Sequence, residues 1–399
     1  MTVRGEIDLG TDRVKAALAL LDHPQNRLGR VVHVTGTNGK GSVCELIARS
    51  LGDLKVGLFT SPFIVYENDS IRVIQKNESH AIPFPAMHEL NERIEDQFSD
   101  LCLTDFERLF LVAVLFFASQ ALDVTVIEVG VGGRDDATNV FEKISPICVL
   151  TSVSLDHQKF LGDTTEEICR NKCGIIQDGS LVFANRELKD ELKLIVKRMV
   201  VEKGARFVEF VHQESKDRPE QWRFSYRSSL FDLARRVVRQ VTGEQSPAMS
   251  TYTLPGRLEL RRDPILPHHQ VVLDGAHNDE SASALRQFLD SHVAQPVVWI
   301  IATSAGREHI VPYLVRFDDS VILIKFRSFQ EDTAPWIQCA SPDTLRACLP
   351  TTHQNVTVLP NGFVEDALEL VSSNVASSST IVIGGSLYLV RNYLRLIVP

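Results

Sequence analysis

Short runs of β-branched and aliphatic residues alternate along the chain with longer stretches in which apolar side chains return every three or four positions. In the first half the short runs are Arg30–Thr35 (RVVHVT), Lys55–Phe59, Val124–Val129 and Ile147–Thr151, and each predicts a strand. The longer stretches Asp12–Leu21, Gly41–Leu51, Pro85–Gln97 and Asp105–Gln120 predict helices. Strand and helix in alternation make βα units, and βα units build a mostly parallel sheet.

The alternation restarts after about residue 250. Val271–Leu273, Val297–Ala302, Val321–Phe326, Val356–Val358 and Ile381–Ile383 predict strands, with helices over Glu280–Ser291 and Leu387–Leu396. Between the halves, Thr242–Thr253 (TGEQSPAMSTYT) is small, polar and interrupted by Pro247, which is the composition of a linker. The expected organisation is α/β throughout: a domain over residues 1–245, a linker over 246–253 and a smaller domain over 254–399. No short-period repeat or low-complexity tract interrupts it.

Composition narrows the functional classes. With 399 residues, 44% hydrophobic and 23% charged, the chain reads as an ordinary two-domain globular protein. A net charge of -9 argues against broad contact with nucleic acid or anionic lipid, while leaving room for a local cationic pocket. The longest apolar run, Leu109–Ala118, falls far short of the roughly 20 residues that span a bilayer, and it follows Asp105 and Glu107, so it predicts a buried helix. Met1–Thr11 carries Arg4, Glu6 and Asp8 without an apolar stretch, which is not a secretory signal, and a cytoplasmic location is expected. Seven cysteines without a CxxC pair are expected as reduced, packed thiols, Cys169 and Cys173 sharing one helical face.

The chemistry concentrates after the first strand. RVVHVT runs straight into Gly36, Thr37, Asn38, Gly39, Lys40, Gly41 and Ser42, and then into the helix beginning VCELIARSL. Glycines let backbone N–H groups turn onto phosphate oxygens, a helix start adds a positive dipole, Lys40 supplies a mobile charge and Ser42 a hydroxyl for Mg2+. The strict GxxxxGK[ST] pattern is not met, because Val34 occupies its first Gly and Gly41 separates Lys40 from Ser42. An ordinary Gly-rich strand-to-helix turn is the competing reading.

Three further residues stand at informative places. Glu128 ends the apolar run DVTVIEVG, at the carboxyl edge where α/β sheets hold ligands, and its oxygens suit Mg2+; a solvent-facing strand end is the alternative. His157 follows ICVLTSVS and, from the residues alone, reads as a hydrogen-bonding or structural histidine. Lys172 lies in a helix opened by Asp163 and Thr164, with Glu166 and Glu167 in its first turn, and reads as a solvated surface lysine.

The segment HVTGTNGKGS closely resembles the phosphate loop of the folylpolyglutamate synthase and dihydrofolate synthase family of Mur ligases. Other motifs follow in that family's order: Thr60, Ser61, Pro62 (with Phe63 where the family has His), Thr104–Glu107 (TDFE) and Glu128–Val140 (EVGVGGRDDATNV, with Asp135 where it has Leu). Ser154–Gly162 (SLDHQKFLG), Asn171–Ile176 (NKCGII), Leu254–Leu258 (LPGRL), Asp274–Asn278 (DGAHN) and Gly385–Val390 (GSLYLV) complete the series. HPQN at His23–Asn26 and KFRSFQEDTAPWI look more like fungal-type dihydrofolate synthases than polyglutamate synthases.

The resemblance implies a phosphate-loop N-terminal domain with a mostly parallel sheet and a smaller C-terminal Rossmann-like α/β domain, the Mur ligase architecture. It implies an ATP-dependent ligase, working as a monomer, that phosphorylates a pteroate or folate carboxylate and lets L-glutamate attack the acyl phosphate. Thr37, Asn38, Gly39, Lys40, Gly41 and Ser42, with Arg257, Asp274, His277 and Asn278, are then expected at ATP. Glu128 is expected as a Mg2+ ligand, Ser42 and Ser61 at the first Mg2+, and His157 with Lys172 at a second, Lys172 carrying CO2 as a carbamate. Lys40, His157 and Lys172 are the expected catalytic set. Thr104, Asp105, Phe106, Glu107, Asp135, Asp136 and Ala137 are expected at the pterin, with Phe106 stacking on the ring.

One family segment, L-x-G-x-HQxxNA, has no counterpart: His212 and Gln213 are followed by Glu214, Ser215 and Lys216. Either the nucleotide is held without that Asn, or the chain is a divergent or clipped form that binds nucleotide with weak or no turnover. A folylpolyglutamate synthase acting on a reduced folate is the nearest alternative. A dinucleotide oxidoreductase built on EVGVGG is disfavoured, because Asp135 takes the place of the third Gly of GxGxxG.

Overall fold

The computed structural model describes residues 8–76, 78–209, 225–244, 248–329, 337–376 and 379–397. The chain divides into two compact units, Met1–Tyr252 and Thr253–Pro399.

In the first unit the described strands are β1 (Arg30–Thr35), β2 (Val56–Phe59), β3 (Ile71–Gln75), β4 (Glu78–Ala81), β5 (Val124–Glu128), β6 (Ile147–Leu150), β7 (Leu181–Ala184) and β8 (Arg206–Phe207). They lie in the order β4-β3-β2-β5-β1-β6-β7-β8. All neighbours are parallel except β2–β3 and β3–β4, an antiparallel edge that the apolar pattern did not reveal. β1 sits between β5 and β6, with Val34 opposite both Glu128 and Val149.

Alternation along β1 sends its residues to two different cores. Val31 packs with Phe59, Phe110 and Phe141 beneath the helix Asp105–Ala118. Val32 and Val34 pack on the other face with Leu46, Ile47, Phe231 and Ala234, from the helices Lys40–Arg49 and Ser225–Thr242. Each such side chain withdrawn from water contributes roughly 1.5–3 kcal/mol, so covering both faces is what keeps this short strand at the centre. Glu45 on the helix Lys40–Arg49 is buried and takes both Arg49 and Arg72, which ties the β3 edge to that helix.

The helix Asp105–Ala118 starts where it does because Thr104 accepts from the Glu107 N–H while the Glu107 carboxylate accepts from the Thr104 N–H, at 3.2 and 2.7 Å. The helix Thr165–Lys172 starts with the same reciprocal pair, Thr164 and Glu167.

The second unit holds β9 (Glu259–Arg262), β10 (Gln270–Asp274), β11 (Val298–Ile301), β12 (Ser320–Leu323), β13 (Val356–Val358) and β14 (Thr380–Gly384), in the order β13-β12-β11-β14-β10-β9. Only β9 is antiparallel to its neighbour. The buried Asp319 carboxylate accepts from Val297 N, Trp299 Nε1 and Arg286 Nη1 at 2.9–3.1 Å, so a charge inside this core has its partners around it.

No two of the seven cysteines are joined. Among the described residues no helix is long and apolar enough to cross a membrane.

Candidate active site

β1 delivers the chain into a tight loop at its carboxyl end. Gly36 and Gly39 adopt φ of 152° and 82°, and a Cβ on Gly36 would sit 1.8 Å from Thr151 Oγ1, so no other residue fits there. The residues after β6 brace the loop: Thr37 N donates to Ser152 O at 2.9 Å, Asn38 N to Ser152 Oγ at 2.9 Å, and Thr151 Oγ1 to Asn38 O at 2.7 Å. The helix Lys40–Arg49 begins at Gly39, which offers no side-chain cap. Its first N–H groups and positive end therefore face the loop without a built-in acceptor, the arrangement that receives a phosphate. Lys40 Nζ donates back to Gly36 O and Thr37 O at 3.1 and 3.3 Å, holding its charge over the loop.

Glu128 reaches the same region from β5. It is 5% exposed, and its Oε2 accepts from Ser61 N at 3.1 Å, which brings the loop after β2 alongside. Cys44 registers the neighbourhood: burial first, then the Glu128 charge, pushes its thiol well up, with Lys40 acting in the opposite sense. Ser42 lies in the first turn of the same helix.

Lys172 ends the helix Thr165–Lys172 and is 3% exposed, so it is not a solvated surface residue. Burial first, then the nearby Lys40 cation, brings its ammonium down to about 7, against the pull of Asp156 and Asp136. Asp156, not singled out from the sequence, is buried and accepts from His157 N at 2.9 Å. The His157 ring is half-buried, with Nε2 4.0 Å from Asp156 Oδ2, on a backbone at φ 50°. Lys40, Glu128, Ser61, Lys172 and the Asp156–His157 pair thus gather around the carboxyl ends of β1, β5 and β6.

Among the described residues there is no group of three or more His, Cys, Asp or Glu poised for a metal. One buried carboxylate, hydroxyls and a phosphate loop are instead the donor set of Mg2+, which keeps waters and relies on one or two carboxylates plus substrate phosphates.

After Glu128 the loop 129–138 packs against Lys172. A Cβ on Gly133 would lie 2.6 Å from Lys172 O, and one on Gly132 2.4 Å from Asn171 Oδ1. Phe106 lies against this loop, its Cζ 2.6 Å from a Cβ placed on Gly130, and its ring is 6.0 Å from that of Phe59. Thr104 and Asp105 are half-buried beside it, Asp105 paired with Arg108, and Asp135 is exposed.

Three residues expected at the pterin are buried and have partners within the chain. Glu107 is buried, with its oxygens taken by the Thr104 N–H and the Arg13 guanidinium. Asp136 is 1% exposed and accepts from Val131 N, Thr138 N and Thr138 Oγ1 at 2.5–3.0 Å. Ala137 points into the core with Val140 and Phe141. These side chains shape the fold; a residue in a motif looks the same in sequence whether it faces a ligand or the interior.

In the second unit, Arg257, Asp274, His277 and Asn278 collect at the carboxyl end of β10. Asp274 accepts from Leu258 N and Ala276 N at 2.7 and 2.8 Å, and a Cβ on Gly275 would meet Arg257 Nη1 at 2.8 Å. His277 Nδ1 is 3.0 Å from Gly275 O, a carbonyl that can only accept, so Nδ1 donates. Asn278 Oδ1 caps the helix Asp279–His292 by accepting from Ser281 N at 3.0 Å. His212 and Gln213, the His-Gln pair that stands before the linker where the family has its HQxxN segment, lie outside the described residues.

Residues 34–237 match the Mur ligase middle domain and residues 262–396 the dihydrofolate synthetase C-terminal domain. The chain is 30% identical to the dihydrofolate synthetase of Saccharomyces cerevisiae over 98% of both chains. It belongs to the folylpolyglutamate synthase and dihydrofolate synthase family of Mur ligases. Its Mur ligase architecture is also that of Escherichia coli FolC in complex with DHPP and ADP, with a TM-score of 0.79 at 22% identity over 98% of this chain and 94% of that one. Folylpolyglutamate synthase of Lacticaseibacillus casei, another member, is 32% identical over 74% of this chain and 76% of its own.

Proposed function

We propose that the chain is a dihydrofolate synthase, an ATP-dependent ligase that joins L-glutamate to 7,8-dihydropteroate through an acyl phosphate. The observation that carries this reading is the gathering of the phosphate loop, Lys40, Glu128 and the buried Lys172 at neighbouring strand ends. The full-length likeness to the Saccharomyces dihydrofolate synthetase supports the choice of pterin.

The task is to make a carboxylate electrophilic and to bring an amine onto it, so positioning and charge neutralisation are the main work. The loop Thr37–Ser42 holds the triphosphate, and Lys40 swings from the Gly36 and Thr37 carbonyls to the transferred phosphoryl group. Arg257, Asp274, His277 and Asn278 serve the rest of the nucleotide. Ser42, Ser61 and Glu128 would hold one Mg2+, and His157 with Lys172 a second; bound there, the ions neutralise charge on the transferred phosphoryl group. An amine titrating near 7 is in good part neutral at cellular pH, so Lys172 can add to CO2, forming a carbamate and releasing one proton. Phe106, Thr104, Asp105 and Asp135 form the pterin side, with Glu107, Asp136 and Ala137 shaping it. The enzyme works as a cytoplasmic monomer.

Phosphate release with L-glutamate, measured separately with 7,8-dihydropteroate and with tetrahydrofolate, tests the reading. Turnover with dihydropteroate is expected. Activity confined to tetrahydrofolate makes the chain a folylpolyglutamate synthase, a reading that the likeness to the Lacticaseibacillus enzyme favours. ATP binding without glutamate-dependent ADP formation leaves a nucleotide-binding protein only.

A further inference from the structure

His33 has no part in the chemistry above, yet it is the costliest residue in β1 to bury. It is 0% exposed in a strand whose other core positions are Val or Thr. A valine or leucine there would fill the space without desolvating an imidazole, so the ring is to be explained by a bond that only it makes.

Its Nε2 lies 2.8 Å from Thr138 Oγ1, and Thr138 Oγ1 lies 2.5 Å from Asp136 Oδ1. The Asp136 carboxylate also accepts the backbone N–H groups of Val131 and Thr138. A hydroxyl has one hydrogen. Thr138 gives it to the carboxylate, so toward His33 it accepts, and Nε2 must carry the ring proton. Nδ1 is buried without a partner among the described residues, and the ring meets Phe141 edge-on at 5.5 Å, which suits a neutral ring. Burial keeps it neutral, pushing the imidazole down to about 3.

Two places along β1, on the same face, Thr35 Oγ1 donates to Gly132 O at 2.6 Å. One strand therefore grips the loop 129–138 at both ends, and the same strand feeds the phosphate loop. That gripped loop leaves Glu128 and passes against the Lys172 carbonyl. We propose that His33 is a positioning residue for the ligase reaction: a fixed Nε2–H donor that orients Thr138 and Asp136 and so sets the loop between Glu128 and Lys172. The kinetic part rests on the proposed function; the tautomer does not.

Two measurements test it. In the full-length protein labelled with 15N-histidine, the resonance absent from His33→Gln is expected to show the neutral Nε2–H pattern from pH 5 to 8. A cationic ring or an Nδ1–H pattern overturns the proposal, whether or not the protein proves to be a ligase. In the glutamate-dependent assay, His33→Leu is expected to lower kcat roughly ten-fold with the ATP KM changed less than about two-fold. His33→Gln, whose amide N–H2 ends at the same reach as Nε2, is expected to restore at least about a third of kcat. Full kcat in His33→Leu, or a Gln variant no better than Leu, overturns it. Absence of turnover in the unaltered protein removes the functional reading, and the tautomer then decides the orienting role by itself.

Discussion

At the scale of single residues, Lys172 carries the cost of a buried ammonium, which its proposed role at the phosphoryl group would account for. Its ammonium titrates near 7 when folded, against an ordinary 10.5, so between those values the unfolded chain binds more protons. Stability accordingly rises with pH across that window, and below it the full penalty of the buried cation is carried. Lys172→Met should therefore raise stability at pH 7 by about 2 kcal/mol in chemical denaturation, while lowering turnover at least ~100-fold. A destabilised Met variant would mean that the ammonium is well solvated after all. Turnover of the unaltered enzyme should respond to bicarbonate more strongly at pH 8 than at pH 6. Glu107 is the opposite case: its oxygens cap a helix and meet Arg13. Glu107→Gln should cost about 1–2 kcal/mol of stability and leave the pterin KM within roughly two-fold. A large KM change with unaltered stability would return Glu107 to the substrate.

At the scale of elements, the loop 129–138 and the helix Thr165–Lys172 are fitted without spare room. Gly133→Ala places a methyl 2.6 Å from the Lys172 carbonyl oxygen, a backbone atom that cannot turn aside. An overpacking cost of about 1–3 kcal/mol is expected, with a fall in kcat larger than any change in ATP KM; wild-type kcat in that variant would show that the helix end can drift harmlessly. The central strands and their helices were legible in the sequence, because β1, β5 and β6 are short continuous apolar runs and their helices carry a clear repeat. β4 and β9 were not, since their side chains alternate between exposed and half-buried with few apolar residues. β8 was too short, at two residues, to stand out from a helix flank, and β7, an apolar run as long as β6, was passed over without a physical reason. Of the site, the phosphate loop was legible by its glycines and Lys40. The inward turn of Glu107 and Asp136, the burial of Lys172 and the partnership of Asp156 with His157 were not, because each depends on contacts between segments far apart in the chain.

At the scale of the whole molecule, two units each have their own sheet and core, and Arg257, proposed to serve the nucleotide, belongs to the second. Arg257→Ala should therefore raise the ATP KM about ten-fold, close to 1.4 kcal/mol, although Arg257 belongs to the unit without the phosphate loop. An unaltered KM would confine nucleotide recognition to the first unit. The placement of β1 has a kinetic consequence of its own. Hydrogen-bonded on both sides and covered on both faces, the amides of its buried positions Val31–Thr35 are expected to take up deuterium only through global unfolding. Local fraying cannot loosen the foundation of the phosphate loop; agents that disorder it must first melt the domain.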